Sequence, residues 1–149
     1  MAYVYDDSGE HDQLPSREEV AARVDMWKRR LNTLYDRIEG WLPSGHTADR
    51  TRVVLMREPI MTATGVPQAA MPFLVIDGPG GGKSYVRPDS LWLVGGNSRV
   101  VLTTPERSFE IVDFGTDENP DWRIYIAAAA LEAVPFDRYT LRRALPEPA

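Results

Sequence analysis

The residues of this chain whose types and spacing come nearest to chemistry are Asp77-Gly78-Pro79-Gly80-Gly81-Gly82-Lys83-Ser84. A glycine-rich turn ending in Gly-Lys-Ser suggests phosphate binding, with backbone N–H groups wrapping the phosphates and the lysine reaching them. The spacing opposes that reading. In G-x-x-x-x-G-K-[ST] counted back from Gly82, the first glycine falls on Asp77, whose charge would stand beside phosphate, and Gly78 is one residue too close. The motif also needs a helix directly after the loop, its N-terminus facing the phosphate. Here Tyr85-Val86-Arg87-Pro88 follows, which suits a strand, and Pro88 would sit in the second helical turn without an N–H. The segment reads as a flexible turn between two antiparallel strands. In the alternative reading, a small phosphate-bearing ligand would be held by Gly80, Gly82, Lys83 and Arg87 of a 78–87 ligand loop.

Other fragments with chemical overtones fare no better. Asp113-Phe114-Gly115 spells the magnesium-binding triplet of protein kinases, but no H-R-D loop accompanies it, so it reads as a strand end and a turn. Asp117, Asn119 and Asp121 have the oxygen spacing that opens a calcium loop, yet Trp122 stands where glycine is needed and Ala128 where the bidentate glutamate is needed. His11 and His46, the only histidines, fall in polar segments without paired-ligand spacing and read as surface residues. No G-x-S-x-G elbow is present. Glu58, Asp77, Asp89 and Asp113 would serve acid–base chemistry only if the fold brought them together. No catalytic residue, metal ligand or cofactor is assigned from the sequence.

Composition narrows the classes further. The 149 residues contain no cysteine, which removes disulfides, thiol nucleophiles and cysteine-ligated metals. A net charge of −5 argues against a nucleic-acid backbone as the main partner. The start, Met1-Ala2-Tyr3-Val4-Tyr5-Asp6-Asp7, lacks the basic and apolar parts of a signal peptide, and no apolar run approaches a membrane span, so a cytoplasmic location is expected. Arginine far outnumbers lysine, which occurs only at positions 28 and 83, a compositional habit of high-GC bacterial or phage genomes.

The elements that must position these residues begin at Ser16. Residues 1–15 carry Asp6, Asp7, Glu10 and Asp12 with little apolar content and read as a flexible acidic tail, with Tyr3–Tyr5 a candidate edge strand. Residues 16–149 are expected to form a single α+β domain. Ser16-Arg17-Glu18-Glu19 matches a capping box. Val20, Val24, Trp27, Leu31, Leu34, Ile38 and Trp41 follow at alternating spacings of four and three, one stripe of a helix from 17 to about 41. That stripe is expected to pack on a sheet, although its average of 3.5 is also the coiled-coil period. Arg23, Arg30 and Arg37 recur every seven residues among acidic neighbours and read as a solvated, salt-bridged face.

Beyond a polar loop (44–49), strands are expected at 51–56, 72–76, 84–87, 91–94, 99–103, 108–113 and 122–126. An irregular stretch around Pro59, Gly65 and Pro67 separates the first two. Gly95-Gly96-Asn97-Ser98 and Thr104-Pro105-Glu106-Arg107 mark tight turns. Connections this short exclude crossover helices, so the sheet is expected to be a mainly antiparallel meander. The segment 127–134 is open between strand and helix, and Asp137 caps a short C-terminal helix through Leu145. The expected function is a non-enzymatic partner-binding module of the immunity, chaperone or adaptor kind, with a protein partner or a homodimer as the simplest contact. The alternative is a small-molecule binder or enzyme built on the glycine loop.

Overall fold

The computed structural model describes residues 15–91, 97–116, 118–126 and 132–146. The acidic tail, with its candidate edge strand, lies outside them but for Pro15. So do most of the expected strand at 91–94, the Gly95-Gly96 turn and residues 127–131.

Helix α1 runs Arg17–Trp41 and opens on the expected capping box: the Glu19 N–H donates to Ser16 Oγ at 3.1 Å, and the Ser16 N–H donates to Glu19 Oε1 at 3.5 Å. Among the described residues nine strands and two short helices follow, in the order β1 (Thr47–Asp49), β2 (Val53–Met56), α2 (Pro59–Thr64), β3 (Ala69–Pro72), β4 (Leu74–Asp77), β5 (Lys83–Ser90), β6 (Ser98–Thr103), β7 (Ser108–Asp113), β8 (Trp122–Ile124), β9 (Val134–Pro135) and α3 (Arg138–Ala144). Seven strands form one sheet in the order β1-β4-β5-β6-β7-β8-β9, and β2 with β3 forms a separate ribbon. Every pairing is antiparallel. The protein is α+β, a long N-terminal helix and a short C-terminal one combined with an antiparallel meander, as the short connections require.

Period-two alternation turns one face of the large sheet inward. Leu74 and Ile76 of β4, Val86 of β5, Val100 and Leu102 of β6, Phe109 and Ile111 of β7, and Ile124 of β8 join one buried cluster. The α1 stripe enters the same cluster from Val20 to Ile38, with Trp41 partly buried at its edge. Leu141, Ala144 and Leu145 bring α3 into it, and Phe136 meets Trp41 edge-on at 5.6 Å between ring centroids. Asp137 caps α3 by accepting from the Thr140 N–H at 2.9 Å, while Tyr139 stands 68% exposed. Tyr35, absent from the sequence-read stripe, is fully buried, its hydroxyl donating to the Pro72 carbonyl at 2.8 Å; burial pushes its pKa far above the ordinary tyrosine value.

Several local expectations are corrected. The polar loop 44–49 contributes β1, which adds to the meander's edge by pairing Thr47 with Asp77. The expected first strand at 51–56 is shorter and leaves the main sheet for the ribbon. Pro59 starts α2, where a missing N–H costs nothing, and Gly65 closes it at φ 75°. The strand at 84–87 extends from 83 to 90 through a buried Pro88, with a register shift between Pro88 and Ser90 against β6; a bulge is where a strand tolerates proline. Leu91, at the start of the expected 91–94 strand, lies outside any strand.

The largest correction concerns arginine. Arg23 and Arg30 are buried rather than solvated. Arg30 Nη1 lies 2.6 Å from Oδ2 of the fully buried Asp113, and its Nη2 donates to the Thr116 carbonyl. Asp113 Oδ1 accepts from the backbone N–H groups of Gly115 at 2.8 Å and Asp121 at 2.7 Å. Arg23 Nη2 reaches Asn97 Oδ1 at 3.3 Å, and Asn97 donates in turn to the Gly115 carbonyl. A buried aspartate with three donors meets the satisfaction that burying a charge demands. At Gly115 a Cβ would lie 2.0 Å from the Asn119 carbonyl oxygen, so only glycine fits. The kinase-like triplet is therefore the pivot that ties β7 and its following loop to α1.

Candidate interaction surface and the glycine loop

The glycine loop is a hairpin connection. Asp77 and Lys83 face each other across β4 and β5, the Gly78 N–H donates to the Gly82 carbonyl at 2.9 Å, and Gly81 turns the chain at φ 83°. No helix follows; β5 does. Lys83 Nζ contacts Asp77 Oδ1 at 2.7 Å. The lysine is thus paired with the residue that occupies the place of the motif's first glycine.

The four residues of the ligand-loop reading divide between two surfaces. Gly80 and Gly82 line a cleft of about 180 Å³ under the loop, together with His46, Ser84 and Pro105. Lys83 and Arg87 are odd-numbered members of β5, and their faces oppose that of buried Ser84 and Val86. They stand on the outer face of the sheet. The structure brings His46, read from sequence as a surface residue, to the cleft: its Nε2 lies 3.6 Å from where a Cβ on Gly78 would sit, and its Nδ1 is buried without a hydrogen-bond partner. No sequence spacing linked His46 to the loop, because β1 pairing with β4 creates the juxtaposition.

The four carboxylates considered for acid–base work do not gather into a pair. Glu58 accepts from the Leu91 N–H at 2.8 Å, Asp77 holds Lys83, Asp89 meets Arg99 at 2.6 Å and Asp113 holds Arg30. In the calcium-like triplet Asp117 lies outside the described residues, and Asp121 accepts from Arg123 at 3.0 Å. Among the described residues no group of three or more His, Asp or Glu side chains is placed to hold a metal ion. No described helix is long and apolar enough to cross a membrane.

What remains is the outer face of the meander. Registers run Val75–Tyr85–Thr103–Ser108, then Arg87–Val101–Glu110, then Arg99–Val112–Arg123. Near the β4 side, the Arg87 guanidinium lies 4.9 Å from the Tyr85 ring centroid and 5.3 Å from that of Phe73, within cation–π range of both. Arg99 bridges Asp89 and Glu110 beside it. Arg87 and Glu110 are exposed, and Phe73, Tyr85 and Val101 are half-buried, while the helices pack on the other side. An amphipathic aromatic and arginine cluster held by paired antiparallel strands can stack on and hydrogen-bond a partner surface.

Comparison with protein-family models, curated proteins and solved structures finds no match to this chain.

Proposed function

We propose that the protein is a non-enzymatic binding module that engages another protein through the outer face of its sheet. The observation that carries this reading is the Phe73–Arg87–Tyr85 cluster on a face that no described helix covers. Tyrosine and arginine are over-represented among the residues that dominate interface energy, and both lose little freedom when already stacked. The helix is the weaker candidate, because its apolar stripe is spent on the core. The test is capture of a partner by the tagged protein, followed by affinity measurement with Tyr85→Ala and Arg87→Glu. Each substitution is expected to weaken the complex about tenfold or more. Unchanged affinity in both, with the fold intact, would remove the outer face from the reading.

A second reading, a small-molecule site at the glycine loop, draws on the cleft and the unpartnered His46 Nδ1. It retains Gly80 and Gly82 and replaces Lys83 and Arg87 with His46 and Ser84. A thermal-shift screen of nucleotides, metal ions and metabolites tests it, since a ligand that binds the folded state alone raises Tm. A hit must be lost in His46→Ala to belong to this cleft.

A further inference from the structure

We infer that the β2 edge of the small ribbon pairs with the same edge of a second copy, forming a four-stranded β3-β2-β2′-β3′ ribbon across a two-fold axis at Val54. Hydrogen-bond parity fixes which backbone groups of β2 face away from β3. The Phe73 N–H donates to the Arg52 carbonyl, and the β2–β3 register sets Val53 against Pro72, Val54 against Met71 and Leu55 against Ala70. Bonded and non-bonded pairs alternate in an antiparallel ladder, so Arg52, Val54 and Met56 direct their backbone groups at β3. The N–H and C=O of Val53 and Leu55 therefore point outward, and none of the four has a partner among the described residues. The same two residues present the exposed side chains of the strand, Val53 at 55% and Leu55 at 60%. Natural edges usually carry a charge or a proline at such a place. Here both flank it, as Arg52, Arg57 and Pro59, and neither occupies it.

A second copy fits this edge in one register. Centred on Val54, Val53 meets Leu55′ and Leu55 meets Val53′, each as a bonded pair, so all four outward groups on each strand are satisfied across the axis. The apolar side chains lie opposite each other on the exposed face, Arg52 falls across from Met56′, and Arg57 across from Thr51′, so no like charges are opposed. Centring on Val53 or Leu55 would set an apolar side chain against Thr51 or Arg57. A slip by one residue would turn inward-bonding groups to the partner and, in one direction, bring Arg52 against Arg57′. The contact is small, so the dimer is weak.

The experiment is sedimentation equilibrium over a concentration series on the whole chain. Wild type is expected to dimerise, and Val53→Glu and Leu55→Lys alone are each expected to weaken the dimer about tenfold or more. An equimolar mixture of the two variants is expected to recover it, because only this register places the introduced carboxylate of one copy beside the introduced ammonium of the other. A wild type that stays monomeric, a dimer indifferent to both substitutions, or a mixture that fails to recover would each overturn the inference. A chain lacking residues 1–15 that dimerises while the intact chain does not would assign the edge to the N-terminal segment instead, which also overturns it. None of these variants touches Tyr85 or Arg87, so loss of the dimer and loss of outer-face binding are read separately.

Discussion

Arg30 and Asp113 form a buried ion pair, 2.6 Å between Nη1 and Oδ2, that joins the middle of α1 to the last residue of β7. Removing one partner strands the other charge away from water. Asp113→Ala is expected to cost about 3–5 kcal/mol in urea denaturation. Arg30→Met combined with Asp113→Leu is expected to cost less than the two single losses summed, because neither charge is then left alone. Strict additivity would mean the pair is not coupled.

Trp27 lies in the middle of the α1 stripe and is almost fully buried. Trp27→Ala is expected to cost about 3–5 kcal/mol as a large-to-small core change. A near-neutral melt would be incompatible with α1 packing on the sheet.

Tyr35 supplies a pH dependence. Burial favours its neutral form, and its hydroxyl donates to the Pro72 carbonyl. The folded pKa stands above the unfolded value of about 10, so the contribution to stability is full below pH 10 and declines as pH rises beyond it, where the unfolded chain releases its proton first. Denaturation measured across the alkaline range is expected to show that decline, and Tyr35→Phe is expected to abolish it. The same substitution is expected to cost about 1–2 kcal/mol at neutral pH, since it leaves a buried carbonyl without its donor.

Lys83 is paired with Asp77, and the chain after it is a strand. Millimolar Mg-ATP and Mg-GTP are therefore expected to leave Tm unchanged. A rise that disappears in Lys83→Ala would restore the nucleotide reading of the loop.

The helix and the meander were legible because their signals are local: a capping box, a stripe of alternating spacing, and turn residues between short apolar runs. The ribbon was not, since nothing in Val53–Met56 says which strand it will pair with, and pairing choice depends on the whole layer. The fate of Arg23 and Arg30 was half-legible. They stand four residues before and three after Trp27, which places them on the flank of the buried stripe, but the partners that make burial of a charge tolerable, Asn97 and Asp113, lie 74 and 83 residues further along the chain. The outer-face cluster could have been found only with β4–β5 register in hand, because Phe73 and Arg87 are neighbours through the hairpin and not through the chain.

The meander has a kinetic consequence. From β4 to β9 each strand pairs with its successor, so the sheet grows by short loop closures of low contact order. The docking of α1 is the opposite case: Arg23 to Asn97 spans 74 residues and Arg30 to Asp113 spans 83. Closing loops of that length carries the larger entropy cost, which favours docking of α1 onto a sheet already assembled. Substitutions at Arg30 are then expected to accelerate unfolding while leaving the refolding limb of the chevron nearly unmoved, so that this pair acts as a latch on the assembled protein and not as its folding nucleus.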